Sequence, residues 1–435
     1  MQISSVFLLF SLYFVQAAAL AQSISVSPQQ NLQQVLLQAK DGDEIRLDSG
    51  LYSGNFELNH SLTLSCQQGA EINGGHTKDT LRVKASHVTI QGCYVTNWGD
   101  NLTDMNAGIY VEQKATGVVV RNNHLHGDAF GILLDGSANG TVSHNSVEGD
   151  RNIRSQDRGN GIHLFNVTQA LVSDNEVWNT RDGIYIDTSN GNQLLGNYLH
   201  DLRFGIHYMY SYNNHIEHNH TQRTRTGYAL MQSKYLTVLN NRSENDSNYG
   251  ILMNFIEHST ITHNEISNTH QLVGPGGTME VKGGEGKSLF IYNSPFNQID
   301  HNRLSESNIG IHLTAGSEDN KIFANEFIRN QIQVKYAANK QVEWSYQKVG
   351  NFWSDYQGWD QNMDGIGDEP FEPNDGIDKL LWKYPSAQIL MSSPAIQTLR
   401  WVQKEFPVLK SPGIKDSYPL MTTRAHQLSL HQEKS

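Results

Sequence analysis

The sequence predicts an all-β protein, a right-handed parallel β-helix wound in coils of about 22 residues. Three observations predict it. An Asn recurs in one phrase: "VRNNHL" (Asn123), "VSHNSV" (Asn145), "VSDNEV" (Asn175), "LLGNYL" (Asn197), "IEHNHT" (Asn219), "VLNNRS" (Asn241), "ITHNEI" (Asn264), "IDHNRL" (Asn302) and "IFANEF" (Asn325), mostly in steps of 22 or 23 residues. Glycines run in phase with it, each before a short apolar strand: Gly108, Gly131, Gly161, Gly183, Gly205, Gly227, Gly250 and Gly310. Finally, 37 Gly, 10 Pro and abundant Asn in 435 residues suit many short strands joined by tight turns.

A single coil cannot bury its own apolar face, whereas stacked coils share a continuous core of Ile, Leu and Val. The repeated Asn is expected at a turn, where its backbone tolerates the left-handed region and its amide bonds the next Asn in a ladder. The L-x-x-L-x-L phrase of leucine-rich repeats is absent. The architecture is therefore pectate-lyase-like.

The chain opens on "MQISSVFLLFSLYFVQAAALAQS", an apolar run ending in an A-x-A site at Ala19-Leu20-Ala21, read as a signal peptide over residues 1–21. The absence of Lys or Arg before the apolar run leaves a membrane anchor as the alternative. The β-helix spans residues 22–343. It begins with a capping helix whose face is Leu32, Val35, Leu36 and Ala39, ended by Asp41-Gly42. Two long steps, Asn145 to Asn175 and Asn264 to Asn302, place insertions near residues 150–160 and 270–288. The second holds Met279 and "KGGEGK", which lacks the spacing of a phosphate loop. Residues 344–425 form an aromatic and acidic docking segment with a helix capped by Ser393 and Pro394 and stopped by Pro407. Its Ile396, Leu399, Val402 and Phe406 are expected to dock on the last coil. Residues 426–435 read as a disordered tail.

Cys66 and Cys93 end the similar phrases "LTLSC" and "VTIQGC", so they form either one disulfide or two buried thiols. A net charge of −12 argues against nucleic-acid binding, which needs a basic stripe.

Counting from the glycines puts one outward face in order. Two residues on stand Tyr110, Leu133, His163, Tyr185, His207, Ala229, Leu252 and His312; four on stand Glu112, Asp135, Phe165, Asp187, Met209, Met231 and Asn254. Met209 and Met231 should stack on adjacent coils with His207 beside them, and Met253 lies one step out of register. Thioether and imidazole are soft donors suited to Cu(I); equally, methionines fill gaps in cores and interfaces. Asp135 and Asp187 with His163 raise a glycan alternative, a polysaccharide epimerase or lyase using a general acid and base. Few Lys or Arg stand beside them to hold an acidic sugar. In "DQNMDGIGDEP", Asp360, Asn362, Asp364 and Asp368 have the spacing of a Ca²⁺ loop, although Phe371 stands where its bidentate Glu belongs. A metal-free turn is the alternative.

The phrases "GIHYMYS", "GYALMQS", "YGILMN" and "GKSLFIYNSPFNQIDHN" join a C-terminal run, "GNFWSDYQGWDQNMDGIGDEPFEPNDGIDKLLWKYP" followed by "SPAIQTLRWVQKEFPVLKSPGIKDSYPLM". Together they resemble the NosD family, periplasmic accessory proteins in the maturation of nitrous oxide reductase. That resemblance implies a non-enzymatic assembly factor. It would work with an ABC transporter permease and its ATPase, a copper-chaperone lipoprotein and the apo reductase, handling Cu(I) or sulfur for the copper–sulfide centre. It favours His207, Met209, Met231 and Met253 as the metal-handling set. Ser288 departs from the family's expected Cys, so no thiolate is available there.

Overall fold

The repeat winds into three parallel sheets. The computed structural model describes residues 21–271, 284–314, 316–336, 340–374, 377–378, 382, 384, 393–406 and 412–424. The predicted signal peptide up to residue 20, Met279 with most of its insertion, and the predicted tail lie outside the described residues. Sheet 1 has 13 strands, from Ser23–Val26 to Lys321–Phe323; sheet 2 has 12, from Phe56–Leu58 to Ile332–Tyr336; sheet 3 has 13, from Gly50–Ser53 to Phe352–Trp353. One coil supplies Phe204–Met209 to sheet 2, His215–Glu217 to sheet 1 and His220–Gln222 to sheet 3. Sheet 3 gains its last strand past residue 343, because Phe352–Trp353 pairs with Glu326–Ile328 after the Asn phrase has stopped.

Inward side chains stack in register, as in the sheet 2 row Ile186, Tyr208, Leu230, Met253, Ile291 and Leu313. Each fully buried aliphatic contributes roughly 1.5–3 kcal/mol. The in-phase glycines answer a lack of space: a β-carbon on Gly205 would sit 2.5 Å from Thr221 Cγ2 and 2.6 Å from the Gly227 carbonyl. Cys66 and Cys93 form a disulfide, which resolves the alternative left open by the sequence.

The asparagines form the expected ladder. Asn197 Nδ2 donates to Asn219 Oδ1 at 2.8 Å and to the Val172 carbonyl at 2.9 Å, while its backbone N–H reaches the same Asn219 oxygen at 3.0 Å. The pattern continues unbroken from Asn123 through Asn325 to Asn351. The left-handed backbone, however, falls on the residue before each ladder Asn, such as His144, Asp174, Gly196, His218, Asn240, His263 and His301. That residue makes the bend, and the bend turns the next side chain inward.

Both ends of the stack are closed. Helix α1 (Leu32–Gln38), capped by Asn31, buries Leu32, Leu36 and Ala39 over the first coils. Its Gln33 amide exchanges two hydrogen bonds with Glu57, at 2.8 and 3.3 Å, and so stands in for a missing neighbour at the edge of sheet 2. At the other end Trp353 stacks on Phe327, and Asp416 Oδ2 accepts from Asn351 N–H (2.7 Å) and Trp353 Nε1 (2.8 Å). Helix α2 (Pro394–Glu405) is capped by Ser393 as predicted; of its expected docking face Ile396 and Val402 are half-buried, while Leu399 and Phe406 are exposed.

Two predictions follow from the ladder. Asn241→Ala removes the acceptor of the Asn219 backbone N–H, one of the bonds of Asn219 Nδ2 and the side-chain donor to the Ile216 carbonyl inside the stack. It should lower unfolding stability by about 1–3 kcal/mol in urea titration. Burial pushes the Asp416 carboxyl up from 3.8 to about 6. A raised carboxyl favours folding below its unfolded value and loses that contribution as pH rises through the folded value. The stability of wild type relative to Asp416→Asn should therefore fall as pH rises from about 4 to about 7, read from urea midpoints across that range.

Candidate functional site

The outer face of sheet 2 carries the residues singled out in the sequence. Its register sets two rows. One runs Tyr110, Leu133, His163, Tyr185, His207, Ala229, Leu252, Phe290, His312; the other runs Asp135, Phe165, Asp187, Met209, Met231, Asn254, Tyr292. Met209 and Met231 are direct register partners and half-buried. Parallel strands put such neighbours about 4.8 Å apart. His207 sits two residues before Met209, roughly 7 Å along the strand.

Met253 does not join them. It pairs with Leu230 in the inward row and is fully buried among aliphatic side chains, because it lies one residue out of phase and adjacent strand positions face opposite ways. Ser288 is also internal, its Oγ donating to Ser307 Oγ at 2.8 Å. The other histidines of the same coil answer to carboxylates on different faces: His215 to Glu217 (2.8 Å) and His220 to Glu244 (2.9 Å).

The sequence reading missed the support beneath His207. Asp182, one residue before Gly183, is buried and lies 3.0 Å from His207 Nδ1, while Arg203 grips it with two bonds of 2.6 and 2.8 Å. Burial raises the Asp182 carboxyl, but the His207 and Arg203 hydrogen bonds outweigh that and hold it below its ordinary value. A carboxylate only accepts, so Nδ1 carries a proton, and in the neutral ring Nε2 is left with the lone pair. Nε2 is buried with no hydrogen-bond partner in the protein. An imidazole fixed by a carboxylate on one nitrogen and open on the other is the arrangement that orients a metal ligand. The signal available in the sequence was Arg before the strand on successive coils, Arg181, Arg203 and Arg225, with one Asp among them.

Further along, His163 packs edge-on to Tyr185, whose ring also meets His207, at centroid distances of 4.8 and 4.7 Å. Burial pushes the His163 imidazole down to about 3, so it is neutral at physiological pH, and its Nε2 lacks a hydrogen-bond partner.

The carboxylates of the glycan alternative do not converge. Asp135 and Asp187 are separated by Phe165 in the register. Asp135 accepts from Tyr110 Oη at 2.9 Å and Asp187 from Thr188 Oγ1 at 2.8 Å. In the Asp360 loop the side chains hold the loop's own amides: Asp360 accepts from Gly365 N–H (2.8 Å), Asp364 from Ile366 (2.9 Å) and Asp368 from Gln361 (2.6 Å), while Asn362 accepts from Asp364 (3.1 Å). These are the Asx-type bonds expected of the turn alternative. Among the described residues no group of three or more His, Cys, Asp or Glu is placed to hold a metal ion.

Stacked parallel coils define the class, a parallel β-solenoid, and solved structures agree at the level of fold. The chain is similar to the Dettilon tailspike protein (gp208), at 13% identity and TM-score 0.56 over 74% of this chain and 70% of that one. It is similar to the family 28 exopolygalacturonase of Yersinia enterocolitica at 13% identity and TM-score 0.55, over 73% and 76%. Sequence comparison narrows the class. Residues 143–358 match the family described as periplasmic copper-binding protein (NosD). The chain is 49% identical over 430 residues to the probable ABC transporter binding protein NosD of Stutzerimonas stutzeri, covering 99% of this chain and 96% of that protein. It is 48% identical over 382 residues to the protein so named in Pseudomonas aeruginosa, covering 88% and 89%. The chain belongs to the NosD family.

Removing Asp182 should test the support. Asp182→Ala leaves Arg203 and His207 Nδ1 unmatched in a largely buried place and should cost about 3 kcal/mol at neutral pH. A depressed carboxyl stabilises above its unfolded value and stops doing so as pH falls through its folded value. The gap between wild type and variant should therefore narrow in urea titrations below about pH 4.

Proposed function

We propose that this chain is a periplasmic assembly factor that handles Cu(I), with or without sulfur, for the copper–sulfide centre of nitrous oxide reductase. It would act with an ABC transporter permease and its ATPase, a copper-carrying lipoprotein chaperone and the apo reductase, without catalysing a reaction of its own. The observation that carries the reading is the register of Met209 on Met231 in a family described as copper-binding. Two thioethers and an imidazole are soft donors that favour Cu(I) over Zn²⁺, Mg²⁺ or Ca²⁺. His207, held by Asp182, supplies the nitrogen; Met209 and Met231 supply sulfur that binds without proton release. Cu(I) is cargo in this reading, so a weak, half-buried set serves better than a closed one.

The glycan reading needs an acid and a base within reach of one sugar ring, and Asp135 and Asp187 are two coils apart with Phe165 between them. No observation on this face favours it.

Titration of the mature protein with Cu(I) against a competing chelator tests the proposal. Wild type should bind Cu(I) at least tenfold more tightly than Met209→Ala/Met231→Ala, and Met253→Leu should match wild type. Equal binding by wild type and the double variant would sink the assignment.

A further inference from the structure

The coil that carries His163 repeats the arrangement around Asp182 with one change. Asp182 is gripped by Arg203, which stands one residue before its register partner Phe204 on the next coil. One coil earlier Asn160 takes the place of Asp182 and Arg181 that of Arg203, the Arg181 N–H donating to the Gly159 carbonyl at 2.8 Å. The earlier pair therefore has the cation without the carboxylate. Among the described residues Arg181 makes no ion pair, unlike Arg203, and its buried Nε has no hydrogen-bond partner.

Three polar atoms are left open there. Asn160 and His163 are each 7% exposed, and neither Asn160 Oδ1 nor His163 Nε2 has a partner in the protein; Arg181 Nε is the third. Asn160 Nδ2 lies 3.5 Å from His163 Nδ1, and the Arg181 charge acts on both His163 and Tyr185. The rings of Phe130 and Tyr185 meet that of His163 at 5.2 and 4.8 Å, so the walls are aromatic. Each buried polar atom left unmatched costs about 1–3 kcal/mol. Folding alone does not ask for them, since Phe130 and Leu133 fill the places of Asn160 and His163 one coil earlier.

The hydrogens define what fits. A neutral imidazole has one donor and one acceptor. If Asn160 turns Nδ2 to His163, the open donors are His163 Nε2–H and Arg181 Nε–H, and the open acceptor is Asn160 Oδ1. If the amide is turned over, the donors are Asn160 and Arg181 and the acceptor is His163 Nε2. Either way the occupant accepts two hydrogen bonds and donates one. Water meets that count but leaves the Arg181 charge uncompensated in a half-buried place. Asp182 cannot compensate it, because both its oxygens already serve Arg203 and His207. We infer that Arg181, His163 and Asn160 form a binding site for a small monovalent anion that carries one hydrogen-bond donor, the class to which bicarbonate belongs. The site lies two coils from Met209, roughly 10 Å along the stack, and does not depend on the Cu(I) reading.

The test is NMR titration of the histidine-labelled mature chain with bicarbonate, in mildly alkaline buffer of constant ionic strength made up with chloride. Formate, a planar anion without the donor, is the comparison. Bicarbonate should move the His163 imidazole resonances saturably and bind about tenfold more tightly than formate. Asn160→Asp carries the carboxylate of the next coil into this one. It should pair with Arg181, raise the urea midpoint and abolish the bicarbonate response. Arg181→Gln should weaken bicarbonate binding by about tenfold or more while the chain still melts cooperatively. No saturable response in wild type would make the occupant water and overturn the inference. Equal affinity for formate, or bicarbonate binding retained by Asn160→Asp, would overturn it as well.

Discussion

The asparagine ladder is the constraint on which the rest of this molecule depends. Each carboxamide oxygen accepts two bonds from the Asn of the preceding coil, and each Nδ2 returns bonds to the following Asn and to a carbonyl of the coil before. Such a group has no slack: a coil displaced by one residue would bury unmatched donors and acceptors. The ladder therefore holds one corner of every coil at a constant pitch. It does so across the insertions too, where Asn145 meets Asn175 at 3.0 Å and Asn264 meets Asn302 at 2.9 Å despite steps of 30 and 38 residues. Surplus chain has to leave the stack between sheet 3 and sheet 2. The strand register of sheet 2 survives, and with it the alignment of Met209 on Met231.

Against that regular frame the irregular features concentrate in one region. Buried Asp182, the open nitrogens of His163 and His207, half-buried methionines and the left-handed aromatics Tyr210, Tyr235, Phe255 and Phe296 all fall between Gly161 and Phe296 on the sheet 2 side. Each departs from what a solenoid coil needs for stability alone. In the coil before that region the same turn positions are Gly136 and Asn139, which fit locally. Local departures that cluster on one face of an otherwise consistent repeat are the expected mark of a functional surface.

The fold was legible because its signals are local and repeated: one Asn and one Gly per coil fixed the period, and strand parity sorted inward from outward residues. The same parity separates Met253 from Met209 and Met231. What escaped the sequence was non-local or sat one residue away. The left-handed bend belongs to the residue before the ladder Asn, a distinction that period alone does not make. Phe290 and Tyr292 complete the two outer rows, but Ser288 stands at the glycine position of their coil and the marker is lost. The apolar stripe of α2 gave its start and cap correctly, while nothing in the stripe says whether a partner surface lies opposite. Asp416 closes the ladder from 65 residues beyond Asn351, and no pattern in the chain joins the two.

A solenoid has a difficulty that a globule lacks, since each end presents open strand edges and unmatched amides. Here the ends are closed by unlike means. At the first coils a glutamine amide imitates a strand and a helix covers apolar side chains. At the last, a buried carboxylate completes the ladder and an indole stack fills the core. Asp416 is the better acceptor for being ionised and the worse buried group for the same reason, so the C-terminal closure is the pH-sensitive one. The candidate metal face lies between the two closures, at Met209 and Met231, where ladder and sheet are both continuous. A stacked pair of thioethers needs two coils whose spacing does not drift, and only the interior of a ladder closed at both ends holds that spacing.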